Sequence, residues 1–293
     1  MWFTTQRPNA PCPARSDPAA WGSPPQACGG PHSGPLAHRA AARQRGFSLF
    51  EILLALVVVG LSVGLGVSLL REQLDRDKTG RTLANTERVA QALGAFVAAN
   101  KRLPCAANPD ASPLLGAEVD GASCTSANAR GLVPWATLGL QRRDVEDGYG
   151  RLLTYHVDPA FASGAAATLS ALCSTAATEG LQTYVSASGT LAAPVVSNRL
   201  LEGQTIGFVL LSHGPNGFGA RYFDATTLTA RPLAAAPDTL LPEALNARGS
   251  RIDSSLVPYI DRDPSLTEAD GFDDLLFYKS LPTFVALYSA SVC

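Results

Sequence analysis

The chain has 293 residues, 46% of them hydrophobic and 16% charged, and a formal net charge of −2. That length suffices for one globular domain with its own core, and the acidic balance argues against nucleic acid as a partner. No Cys-x-x-Cys and no Cys/His cluster at ligand spacing occurs, which excludes the common zinc modules.

Residues 1–38 are rich in Pro, Ala, Gly and Ser and lack apolar periodicity, so no packed core is expected there. Arg7, Arg15, Arg39, Arg43 and Arg45 against Asp17 give residues 1–46 a net +4 and leave −6 for the rest. From Phe47 the chain turns apolar and stays so to Leu70, with Glu51 as its one charge. About 20 helical residues cross ~30 Å of hydrocarbon, so this run predicts a membrane-spanning helix. The basic flank before it predicts a cytoplasmic N-terminal side and a C-terminal domain outside the cytoplasm. A carboxylate within such a helix costs roughly 2.5–3.5 kcal/mol at its centre, so Glu51 needs a partner.

The segment Arg45-Gly46-Phe47-Ser48-Leu49-Phe50-Glu51-Ile52-Leu53 resembles the prepilin signal of type IV pilins and type II secretion pseudopilins. That pattern combines Gly, then Phe, a small hydroxyl residue and a Glu at the fifth mature position. The resemblance covers Arg43 to Leu70; Phe50 is bulkier than the usual aliphatic. It implies cleavage between Gly46 and Phe47 by prepilin peptidase, N-methylation of Phe47, and Glu51 as the assembly glutamate that pairs with a neighbouring subunit's amine. Leaders of that family are shorter, which would place a start downstream at a non-AUG codon, because Met1 is the only Met. Residues i and i+4 share a helix face, which sets Phe47 beside Glu51. Gly60 and Gly64 share a face likewise and permit close helix packing, at roughly 0.8–1 kcal/mol each in helix propensity.

Beyond the apolar run, Val89, Ala90, Leu93, Phe96 and Val97 recur at helical spacing among charged residues. This predicts an amphipathic helix half over 71–100 that docks on a sheet, ended by Pro104. Trp135 and Tyr149 are expected to fill the core between sheet and helix. Asp147-Gly148-Tyr149-Gly150 reads as a turn into a strand at Leu152–Val157, with further strands at Leu181–Val185, Ile206–Ser212 and Leu275–Tyr278. Pro159–Glu179 reads as a helix, and Ala230–Glu268 as an extended loop.

Cys12 and Cys28 leave with the leader. Cys105, Cys124, Cys173 and Cys293 remain, an even number in an oxidising compartment, and four cysteines allow three pairings. Cys105–Cys124 is favoured as a local loop and Cys173–Cys293 as a C-terminal staple. The second would resemble the C-terminal disulfide loop of many pilins.

Ser212-His213-Gly214-Pro215-Asn216-Gly217-Phe218-Gly219 lacks the ending of a phosphate loop. Major pseudopilins bind calcium near a similar loop, with Asp where this chain has Asn216; Asp224 is the nearby carboxylate, and a plain Gly-rich turn is the expectation. Ser212 with His156 or His213 lacks a nucleophile elbow, so both histidines are expected to be structural. Asp270, Asp273 and Asp274 read as a solvated turn or strand cap.

The expected fold is α+β and pilin-like: a long N-terminal helix, its first half membrane-spanning, packed on an antiparallel sheet head. The expected parts are a cleaved leader (1–46), a membrane or fibre-core helix (47–70), an amphipathic half (71–100) and a periplasmic head (101–293). The resemblance implies a non-enzymatic minor pilin or pseudopilin, without cofactor or metal. Its partners would be prepilin peptidase, other pilin subunits through their N-terminal helices, the inner-membrane assembly platform and the membrane. The alternative is a single-pass, membrane-anchored periplasmic binding protein or enzyme.

Overall fold

The computed structural model describes residues 48–109, 116–119, 123–166, 168–224, 227–230, 241–249, 256–262 and 272–289. Two units divide the chain, Met1–Val57 and Val58–Cys293. In the first, Ser48 precedes helix α1 (Leu49–Asn100). The Glu51 N–H donates to the Ser48 hydroxyl at 3.2 Å, the bond expected of a helix N-cap serine.

Among the described residues no helix is long and apolar enough to cross a membrane. This overturns the expected membrane-spanning first half, and with it the expected single-pass inner-membrane localisation with a periplasmic head. Within the 52 residues of α1 the apolar residues give way from Arg71 onward to a charged stretch that includes Glu72, Asp75, Arg76, Asp77 and Lys78, side chains that a hydrocarbon core disfavours. The expected single antiparallel sheet is also corrected, because the strands form three sheets and one of them is mixed.

In the second unit, β1 (Arg130–Leu132), β2 (Thr154–Val157), β5 (Ile206–Ser212) and β9 (Leu275–Ser280) form an antiparallel sheet in the order β1-β2-β5-β9. A second sheet pairs β4 (Ala193–Leu200) with β3 (Leu181–Thr190) and, in parallel, β3 with β8 (Val257–Ile260). A hairpin joins β6 (Arg221–Asp224) and β7 (Thr227–Ala230). Short helices α2 (Pro159–Ala162) and α3 (Leu169–Cys173) replace the single helix expected over 159–179. Further along lie helices α4 (Leu241–Arg248) and α5 (Leu281–Tyr288).

Strand β5 is buried along its whole length because both its faces are covered. Phe208 and Leu210 face Val89, Ala90, Leu93 and Val97 of α1 and Phe284 and Val285 of α5. Ile206, Val209 and Leu211 face Leu181, Val257 and Tyr259 of the second sheet. Strict alternation would not put Ile206 and Val209 on one side. A register shift between them does, by inserting one extra residue. The sheet is thus filled on both sides, and the loops at the Ser212 end of β5 bring together a cluster of buried acids.

Candidate functional site

Strand β5 ends at Ser212, and the chain turns through Gly214, whose φ of 49° lies in the left-handed region that glycine tolerates. A Cβ there would lie 2.6 Å from the Asp273 carboxylate carbon, so the turn and the start of β9 approach at backbone distance. The Asn216 N–H donates to Asp273 Oδ2 at 2.7 Å, and its side-chain amide donates to Glu243 Oε1 at 2.6 Å. The Asp273 N–H donates to the same Glu243 oxygen at 3.2 Å. Asn246, one turn along α4 from Glu243, donates to Asp274 Oδ2 at 2.9 Å. It also pairs with both backbone groups of Ile260, as a neighbouring strand would.

Three carboxylates from distant parts of the chain therefore meet. Glu243, Asp273 and Asp274 each place an oxygen within 4.8 Å of the others, and their exposures are 1%, 4% and 2%. This corrects the reading of Asp273 and Asp274 as a solvated turn; Asp270 lies outside the described residues. Burial pushes the Glu243 carboxyl up to about 7, with the charge of Asp273 adding to the effect and the Asn216 hydrogen bond opposing it. Burial also raises Asp274 well above the usual carboxylate range, assisted by the charge of Glu243. His213 Nδ1 lies 3.8 Å from Asp274 Oδ1, while its Nε2 shares a hydrogen bond with Thr154 Oγ1 at 2.9 Å. Burial, then the charges of Arg130 and Arg151, lower His213 to about 3, so the ring is neutral at pH 7. Such a set can share a proton between carboxylates or hold a cation through oxygen.

The remaining sequence-derived residues fall as follows. Gly46, Phe47 and Cys293 lie outside the described residues. Glu51 is exposed in the first turn of α1. A Cβ added at Gly60 or Gly64 would meet nothing within 4 Å. Cys105 and Cys124 form a disulfide. Cys173 is also disulfide-bonded, to a partner outside the described residues. Trp135 is buried in the core, whereas Tyr149 is half-buried under the Lys78 ammonium, 5.2 Å from its ring centre.

Ser212 donates to Asp147 at 2.8 Å instead of facing a histidine, so no nucleophile–base pair forms there. His156 sits between Glu179 (2.8 Å) and the Tyr259 hydroxyl (2.7 Å), fully enclosed. Glu243 and Asn246 lie on α4, within Ala230–Glu268, whose composition marks it as an extended loop. Pro242 at the second helical position and Leu241/Leu245 at i, i+4 spacing were the available signals. Compared with protein-family models, with characterised proteins and with solved structures, the chain matches none.

The raised Glu243 gives a pH signature. Its folded value of about 7 exceeds the ordinary 4.5, so its contribution to stability is present below pH ~4.5 and lost as pH rises through 7. His213 runs the other way, contributing above pH ~6.5 and losing that on acidification. Glu243→Gln leaves the histidines in place and removes the Glu243 effect together with its share of the Asp274 shift. Without divalent ions, the melting temperature of wild type relative to Glu243→Gln is expected to fall steadily from pH 5 to pH 8. A flat difference would show that Glu243 is not a strained acid.

Proposed function

We propose that the chain is a non-enzymatic, pilin-like structural subunit that works by packing its N-terminal helix against those of sister subunits. The observation that carries this reading is the unshielded apolar surface of α1. In the first unit, Leu49, Phe50, Ile52, Leu53, Leu54, Leu56 and Val57 are all exposed, Leu49 at 84%. In the second, Val58, Val59, Leu61 and Val63 are exposed as well. Apolar surface on this scale marks an interaction site rather than a free surface. At roughly 25 cal/mol per Å² its burial would supply the driving force for assembly. The prepilin-like signal supports the same reading: cleavage after Gly46 would free an amine at Phe47, one turn from Glu51. In a bundle, each Glu51 would then pair with a neighbour's amine and set the register, since an unpaired buried carboxylate is strongly unfavourable.

The test is mass spectrometry of the chain recovered from its native cells, with Glu51→Ala as the comparison. The wild-type chain should begin at an N-methylated Phe47. Glu51→Ala should be processed equally but co-purify with sister subunits at least about tenfold less, equivalent to roughly 1.4 kcal/mol. A mature chain that keeps residues 1–46, or undiminished assembly of the variant, would overturn the proposal.

A further inference from the structure

We infer that the outer edge of β9 is a strand-addition site for an extended segment of a partner protein, one that presents a basic and an acidic residue on opposite faces. Exposed strand edges are normally blunted, because their unpaired N–H and C=O groups recruit other chains. The two larger sheets end at β1, β9, β4 and β8, and all but β9 are closed off. On β1, Leu132 exchanges both backbone hydrogen bonds with Ala107 (2.9 and 3.0 Å). On β8, Pro258 lacks an N–H and Asn246 takes up both backbone groups of Ile260. On β4, Pro194 lacks an N–H, and Asn198, at a φ of 58°, breaks the extended line. Strand β9 carries none of these devices. Its six residues include no Pro or Gly, and among the described residues nothing hydrogen-bonds to its outward backbone groups. At ~3.3 Å per residue it offers about 20 Å of free edge.

A cleft of about 400 Å³ lies beside that edge. Leu276 and Tyr278 of β9 turn toward the second sheet and line the cleft with Leu201. Asp261 lines it too, accepting from the Tyr278 hydroxyl at 2.7 Å. Phe277 turns the other way, toward Tyr288 of α5, with the Lys279 ammonium 5.3 Å from its ring centre. Side chains of an added strand alternate between the same two faces. One face would therefore meet Asp261 and the other Lys279, which sets the charges of the partner. A free sheet edge with a side-chain pocket beside it is the geometry by which extended peptides are recognised. A second copy of β9 fits poorly, since it carries Lys279 and no acid. This inference goes beyond the fibre reading and stands without it.

The experiment uses the full-length chain in a mild detergent, which covers the apolar surface of α1, and a blocked synthetic peptide as the probe. The peptide alternates Val and Thr, with one Lys and one Glu on opposite faces. Calorimetry should show one peptide per chain, and hydrogen exchange should show new protection within Leu275–Ser280. The peptide is then N-methylated at one or the other alternating set of residues. The set whose N–H groups face β9 should cost at least about tenfold in affinity, and the other set little. Asp261→Asn keeps an acceptor for Tyr278 and should fold, yet bind about three- to fivefold more weakly, whereas the exposed Glu72→Gln should bind as wild type. No binding by wild type, equal effects of the two methylated sets, or pairing of β9 with a second copy in place of the peptide overturns the assignment.

Discussion

Asp158→Ala is expected to lower the stability of the second unit by about 3–5 kcal/mol, because one enclosed carboxylate organises two neighbouring turns. Asp158 is fully buried at the end of β2. Its Oδ1 accepts from the Ala160 N–H (3.0 Å), which caps α2, and from the backbone and hydroxyl of Thr178 (3.0 and 2.8 Å). Its Oδ2 accepts from the N–H groups of Glu179 (2.7 Å) and Gly180 (3.3 Å). Removing the carboxylate strands these donors away from water, at roughly 1–3 kcal/mol for each one left unsatisfied. The same turn delivers Glu179 to His156 and starts β3, so the loss should spread into the second sheet. Asp158→Asn is expected to fall between: one oxygen survives, while its NH₂ group would face two N–H donors. Urea unfolding followed by circular dichroism measures both changes. A loss below about 1 kcal/mol for Asp158→Ala would mean that water replaces the carboxylate without cost.

What could be read in advance follows from the range of the forces involved. Ile206–Ser212 was legible as a strand because an unbroken apolar run of that length suits an element buried on two faces. Val89, Ala90, Leu93 and Val97 were legible as a core-facing stripe because the helical period is written in adjacent turns. The Asp147 turn was legible from local chemistry, and its carboxylate does accept from the Tyr149 and Arg151 N–H groups. Strand β4 was not, since its side chains are largely exposed and carry no alternation of the core-facing kind. Nor was the acid cluster, whose members come from positions 243, 273 and 274 and meet only through tertiary packing. Local reading made Asp273 and Asp274 a solvated cap because adjacent acids normally avoid enclosure. The membrane span is a different case: among the described residues no helix is long and apolar enough to cross a membrane, and α1 turns charged from Arg71 onward.

Gly94→Ala should destabilise the chain by about 1–3 kcal/mol, although alanine is the better helix former by roughly 1 kcal/mol. Gly94 lies on α1 where α5 crosses it. A Cβ at this position would lie 2.5 Å from the Tyr288 carbonyl oxygen and 2.7 Å from its carbon. Both are backbone atoms, so no rotamer change relieves the clash. Helix α5 cannot simply lift away either, because Phe284 and Val285 are fully buried beneath it and the Tyr288 hydroxyl donates to Glu87 at 2.9 Å. The packing loss should therefore exceed the propensity gain. Gly80→Ala is the matched control on the same helix: it is exposed, and an added Cβ meets nothing within 4 Å. Only the propensity acts there, so Gly80→Ala should raise stability by up to about 1 kcal/mol. Opposite signs for one chemical change at two sites of α1 would isolate the α1–α5 contact as the cause. Equal signs would mean that α5 does not approach α1 closely enough to require glycine.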